Sequence, residues 1–345
     1  MAINKQHPLY LEDLDYILST KGIEKLNGKT ILITGATGLL GTCMIDALML
    51  HNQRGGDVKV IAVGRDKDKA ECRLGEYYGN NFFFFLQQDV CEEFPNTVNP
   101  DFIIPLASNT HPLAYSKYPI ETIEINVKGA ENTLKKATEC GAEVLYPSTV
   151  EVYGNARGND TFTELYTGEL NLSTPRAGYT ESKRVSEAMC LSYIAEKRTK
   201  VKIVRLCRVF GPTMLMSDTK ASSQFIKNAL SHEDIVLKSE GNQLFSYIYA
   251  ADAVAGMLYT MLNGEYGTAY NIACDACNVR LSEFAWLCAE TVGKQVIFDL
   301  PSETERKGYS VAARALLSTE RLRKAGWEGH YSIQNAIRRT LRILE

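Results

Sequence analysis

A phenol and an ammonium stand four residues apart in Tyr179-Thr180-Glu181-Ser182-Lys183. On a helix that spacing puts both on one face. A lysine beside a tyrosine favours the phenolate, which makes Tyr179 a usable acid or base near neutral pH. Upstream, Pro147-Ser148-Thr149-Val150-Glu151-Val152-Tyr153-Gly154 ends an apolar run. Thr149 and Glu151 therefore belong at the carboxyl end of a strand, where open α/β sheets hold their ligands. Each group alone has a plainer reading, since a Tyr-x-x-x-Lys pair is commonly a solvated helix face and Thr and Glu commonly end strands. Together a hydroxyl, a carboxylate, a phenol and an ammonium are the parts of a proton-transfer site.

A second set of residues suits a phosphate. Thr34-Gly35-Ala36-Thr37-Gly38-Leu39-Leu40-Gly41 follows the apolar run Thr30-Ile31-Leu32-Ile33 and precedes a helical pattern from Cys43 to Leu50. In the order strand, glycine turn, helix, the glycines let the backbone approach a pyrophosphate at the helix N-terminus. Gly35, Thr37, Gly38, Leu39 and Gly41 are the candidate cradle. Val63-Gly64-Arg65-Asp66 ends the second strand, where a carboxylate reads the ribose of NAD and an arginine accommodates the 2′-phosphate of NADP. Gly64 occupies the place of the acid, Arg65 follows and Asp66 comes late. The chemistry leans to NADP and leaves NAD open.

These groups need a parallel sheet to bring them together. The first half alternates β-branched runs with helical patterns, as a doubly wound α/β fold does. Strands are predicted over 30–34, 58–63, 82–86, 102–105, 143–147 and 202–206, with helices over 42–52, 120–138 and 178–197. Phe82-Phe83-Phe84-Phe85 reads as a strand buried on both faces rather than an aromatic platform. After about residue 208 the pattern shifts to loops and shorter elements, interleaved with helical stretches at 251–262 and 281–292. The division expected is an N-terminal helical extension (1–28), a dinucleotide-binding domain (29–207), and a smaller lobe (208–345) with some segments returning to the first domain. The substrate is expected in the cleft between them.

At 345 residues the chain buries a large core, and its net charge of −3 without basic clusters argues against nucleic acid or anionic membranes as partners. No apolar stretch reaches the roughly 18 residues of a membrane span. Residues 1–28 read as an acidic amphipathic helix carrying Leu9, Leu11, Leu14, Tyr16 and Ile17, not a signal peptide. Nine scattered cysteines suit reduced thiols in a cytoplasm. Cys274-Asp275-Ala276-Cys277 is the one C-x-x-C and lacks a second pair, so packing is expected there rather than zinc. The histidines are dispersed, and no metal is expected.

Taken in this order, the motifs resemble the extended short-chain dehydrogenase/reductase family, whose members bind a nicotinamide dinucleotide and mostly remodel nucleotide sugars. The resemblance runs from about residue 28 to the C-terminus and implies a modified Rossmann fold. It places Asp89 and Val90 against the adenine, and Leu106, Ala107 and Ser108 around the nicotinamide. It gives Asn126 the task of ordering the chain near the site. Thr149 would hydrogen-bond the sugar hydroxyl that Tyr179 deprotonates, while Lys183 holds the cofactor ribose. Ser108, Thr149, Arg208 and Lys220 form the implied substrate set, and helices like 120–138 and 178–197 commonly build homodimers in this family.

The segment Pro175-Arg176-Ala177-Gly178-Tyr179-Thr180-Glu181-Ser182-Lys183 is most similar to UDP-glucuronate decarboxylases. Glu151 occurs in those enzymes and in nucleotide-sugar 4,6-dehydratases. The dehydratases place a proton donor just before it, where this chain has Val150. Two departures stand out: Phe245 replaces an arginine and Arg208 replaces an asparagine. An arginine lost at one position and gained at another preserves a diphosphate contact, marks a different substrate, or leaves Arg208 to pair with a carboxylate. A dehydratase, epimerase or 4-keto reductase is the alternative within enzymes. A non-catalytic cofactor-binding regulator is the alternative outside them, disfavoured because Thr149, Tyr179 and Lys183 are all retained.

Overall fold

Seven parallel strands form the central sheet of the computed structural model, which describes residues 3–110, 117–300 and 313–345. They are β1 (Thr30–Thr34), β2 (Lys59–Gly64), β3 (Phe83–Gln87), β4 (Phe102–Pro105), β5 (Glu143–Thr149), β6 (Lys200–Leu206) and β10 (Ala269–Ile272). The order is β10-β6-β5-β4-β1-β2-β3. Near-continuous apolar runs such as Ile31-Leu32-Ile33 are what strands covered on both faces require, and these three are fully buried. The order reverses between β1 and β4, so the chain leaves their carboxyl ends toward opposite faces of the sheet and opens the crevice that α/β folds use for ligands.

Helices Leu39–Gln53 and Lys67–Leu74 cross from β1 to β2 and from β2 to β3. Helix Pro119–Cys140 leads from β4 to β5, and helix Ala177–Lys197 from β5 to β6. Proline in its first turn and the left-handed Gly141 (φ 73°) at its C-cap bound the Pro119 helix. The phenylalanine run departs from expectation. β3 is the edge strand with β2 as its neighbour, and Phe84 is 58% exposed, so one face of that strand lacks a covering element.

The N-terminal helix spans Pro8–Leu18 and is followed by a 3-10 turn at Ile23–Leu26. Its Tyr10, Leu14 and Ile17 are buried in the main core. Its Asp13 accepts from Tyr249 and Arg339, and Tyr16 donates to Asp252. Through these bonds it joins the first half of the chain to the last.

The smaller lobe is built on β9 (Leu244–Tyr249), flanked by β7 (Arg208–Phe210), β11 (Asn278–Arg280) and β13 (Arg314–Ala315). Strands β8 (Ile235–Leu237) and β12 (Val296–Phe298) form a separate parallel pair. Helix Ala250–Asn263 and β10 return to the main sheet. Cys274 and Cys277 are buried free thiols that both reach the Tyr331 carbonyl.

Candidate active site

β1 ends at Thr34, and the chain turns through Gly35 and Gly38 into helix Leu39–Gln53. Gly35 has φ +62°, and a Cβ there would stand 2.7 Å from the Ala107 nitrogen. A Cβ on Gly41 would stand 2.5 Å from the Gly35 carbonyl oxygen. Only glycine lets the first helical turn, the end of β1 and the segment after β4 approach so closely. The helix has neither a side-chain cap nor an acidic residue in its first turn. Its N-terminal N–H groups and positive dipole end therefore suit a dinucleotide pyrophosphate. Thr37 and Leu39 are half-buried beside this turn, and the Leu39 carbonyl accepts from Thr213 of the smaller lobe at 2.8 Å.

Beyond β2, the Arg65 guanidinium lies 2.9 Å from Glu121 and 3.5 Å from Asp89. A 2′-phosphate there must compete with two carboxylates. Asp66 is the N-cap of helix Lys67–Leu74 and accepts from the Lys69 N–H, so its carboxylate is already engaged in the cap. Val90 is buried against Gly129, and its carbonyl accepts from Asn132 at 2.9 Å.

On the other side of the switch point, Thr34 Oγ1 accepts from Ala107 N at 3.0 Å, drawing Leu106, Ala107 and Ser108 onto the glycine turn. Ser108 Oγ donates to Asn126 Oδ1 at 2.8 Å, and Asn126 Nδ2 donates to Ser182 Oγ at 2.9 Å. Ser182 in turn donates to the Tyr179 carbonyl, and Ser186 to the Asn126 carbonyl. Asn126 thus ties the end of β4 to the helix that carries Tyr179. A cavity of about 10 Å³ lies between this network and the sheet, lined by Thr34, Val90, Ala107, Asn126 and Lys183 among others. It has room for about one water.

Lys183 is buried, with Nζ donating to the Pro147 carbonyl at 3.0 Å and standing 5.1 Å from the Tyr146 ring centroid. Burial pulls its ammonium down to about 8, against the opposing field of Glu187. Tyr179 sits half-buried one helical turn before it. Thr149 ends β5, and its Oγ1 accepts from Glu151 N at 3.3 Å. Glu151 lies between two arginines, with Arg208 Nη2 at 3.9 Å and Arg176 Nη2 at 4.0 Å. Val150 is buried in the core and offers no proton. Lys220 precedes helix Ala221–Leu230 and pairs with Asp218 at 3.3 Å. Sequence reasoning overlooked Arg176 as a neighbour of Glu151, and Ser182 and Ser186 as anchors of Asn126. Their signal was helical spacing: Arg176 and Ser182 lie one turn either side of Tyr179.

Parallel sheet, switch point and glycine cradle together define a dinucleotide-binding protein of modified Rossmann type. Residues 31–273 match the pattern of the NAD dependent epimerase/dehydratase family, and the chain belongs to that family. Among its relatives, UDP-glucuronic acid decarboxylase 1 of Xenopus tropicalis is 30% identical over 326 residues, covering 93% of this chain and 73% of the relative. UDP-glucuronic acid decarboxylase 2 of Arabidopsis thaliana is 28% identical over 345 residues, covering 97% and 74%. The fold is similar to that of a Thermotoga maritima UDP-glucose 4-epimerase with UDP-glucose, at a TM-score of 0.77 and 20% identity over 91% of this chain and 98% of the other. A Bacillus anthracis dTDP-glucose 4,6-dehydratase in complex with NAD gives 0.75 and 18% over 91% and 96%. Among the described residues no helix is long and apolar enough to cross a membrane.

Proposed function

We propose that this protein oxidises C4 of a nucleoside-diphosphate hexuronate and releases the sugar carboxylate as carbon dioxide. The observation that carries the reading is the arrangement at the end of β5. Thr149 and Glu151 stand there beside Lys183 and the Tyr179 helix, with Val150 between them in place of a proton donor. Tyr179 accepts the proton of the C4 hydroxyl while Thr149 Oγ1 hydrogen-bonds that hydroxyl. Lys183, charged and desolvated, favours the phenolate. NAD or NADP, held by the Gly35–Gly41 turn and Lys183, would supply a reversible hydride acceptor for C4. Once C4 is a ketone, the carboxylate is β to a carbonyl, so the C5–C6 bond breaks with its electrons passing to the C4 oxygen, and C5 of the resulting enolate then takes up one proton from water. No hydroxyl leaves, so no acid is required at position 150. Glu151 faces the same carbon chain and orients it.

Relatives that this chain covers over 73% and 74% of their own length are decarboxylases by name, which supports the reading. A homodimer is part of it. Ile120, Ile123, Val185 and Leu191 are exposed on helices Pro119–Cys140 and Ala177–Lys197, a patch of the kind that marks an interface. A cytoplasmic setting fits the nine cysteines, all free thiols.

The test is incubation with a panel of nucleotide sugars and mass spectrometry of the products. A product lighter by carbon dioxide is expected. A product lighter by water would mean dehydration, and one of unchanged mass would mean epimerisation; either would overturn the decarboxylase reading.

A further inference from the structure

We propose that Arg208, stacked on Phe245, is the receptor for a substrate oxyanion. The inference rests on the proposed function only for the presence of a nucleoside-diphosphate sugar. Arg208 opens β7, opposite Tyr247 of β9, and Phe245 lies two residues earlier on the same face of β9. The Arg208 guanidinium carbon is 3.5 Å from the Phe245 ring centroid, a close stack that holds the guanidinium plane.

The donors of this guanidinium are not consumed by the fold. Nη1 is buried without a hydrogen-bond partner, and Nη2 lies 3.9 Å from Glu151, an ion contact beyond hydrogen-bond length. Arg205, on the preceding strand β6, shows what a structural arginine does here. It donates to both oxygens of Glu187, to the Tyr153 hydroxyl and to the Glu164 carbonyl. Leaving a buried charged donor unpaired is unfavourable unless another state supplies the acceptor. The acceptor must be anionic, small enough to meet an edge already bordered by Glu151, and delivered with the substrate. An oxyanion meets all three conditions, and a planar guanidinium binds one well. On a nucleoside-diphosphate hexuronate two groups qualify: the diphosphate and the sugar carboxylate.

The experiment is calorimetric titration of the NAD-loaded enzyme with UDP, UDP-glucose and UDP-glucuronate, using wild type, Arg208→Asn and Arg208→Lys. Arg208→Asn is expected to weaken UDP-glucuronate on the order of ten- to hundredfold. Weakening of all three ligands assigns the oxyanion to the diphosphate. Weakening of UDP-glucuronate alone assigns it to the carboxylate. Arg208→Lys keeps the charge without the planar stack and should show the same pattern at smaller size. Moving the cation across the contact, in Arg208→Asn with Phe245→Arg, should recover part of the loss. Unchanged affinity for all three ligands in a variant with an intact thermal transition would overturn the proposal. Whether wild type releases carbon dioxide bears on the proposed reaction alone; the ratio of affinities bears on Arg208.

Discussion

Lys183 holds a position that the fold disfavours and the chemistry needs. An exposed lysine keeps its proton to about 10.5, whereas buried Lys183 releases it near about 8. Between those values the unfolded chain binds more protons, so stability rises with pH across that window; below about 8 the burial cost is present in full. The cofactor-free Lys183→Met protein should therefore melt above wild type near neutral pH, with the advantage shrinking as pH climbs past 8. Scanning calorimetry at both ends of the window checks this, and a constant gap would remove burial as the cause. The same variant should lose turnover and cofactor affinity, and Tyr179→Phe should abolish turnover while keeping its fold, with the double variant little worse than either. Arg65 carries a separate prediction. Arg65→Ala should weaken NADP by about 1–3 kcal/mol and leave NAD nearly unchanged. The carboxylates of Glu121 and Asp89 stay behind to repel a phosphate, which pushes the loss toward the upper end. Equal losses for both cofactors by calorimetry would take Arg65 out of the 2′-phosphate site.

Three elements meet at Asn126. The Pro119 helix supplies it, and the Tyr179 helix receives its amide through Ser182 while β4 approaches through Ser108. Asn126 is 3% exposed, and its loss takes from Ser108 and Ser182 the hydrogen-bond partner the fold gives them. Asn126→Ala should cost about 1–3 kcal/mol in stability. It should also lower kcat more than it raises KM, because it loosens the helix that aims Tyr179 rather than a direct substrate contact. A stability loss with unchanged kcat would reduce Asn126 to a packing residue. Edge position explains β3 on the same terms: Phe84 has the composition of a covered strand but no helix over it.

At the scale of the whole molecule, the exposed Ile120, Ile123, Val185 and Leu191 lead to a prediction about assembly. Light scattering should give a dimer for wild type, and Ile120→Glu with Leu191→Glu should give a monomer with the fold retained; an already monomeric wild type would defeat the interface. The glycine turn, the Tyr179–Lys183 spacing and the bounds of β1 and β4 were legible from residues alone. Each is a local pattern in which near neighbours set backbone conformation and face. The partners of the charged groups were not. Arg65 meets Glu121 and Asp89, Glu151 meets Arg176 and Arg208, and Arg208 lies on Phe245. Nor was the docking of the N-terminal helix on residues near the far end of the chain. Periodicity specifies which face of an element is apolar, but not which element covers it. Strand order and crossover decide what becomes adjacent, and with it which charges lose their water and which find a partner.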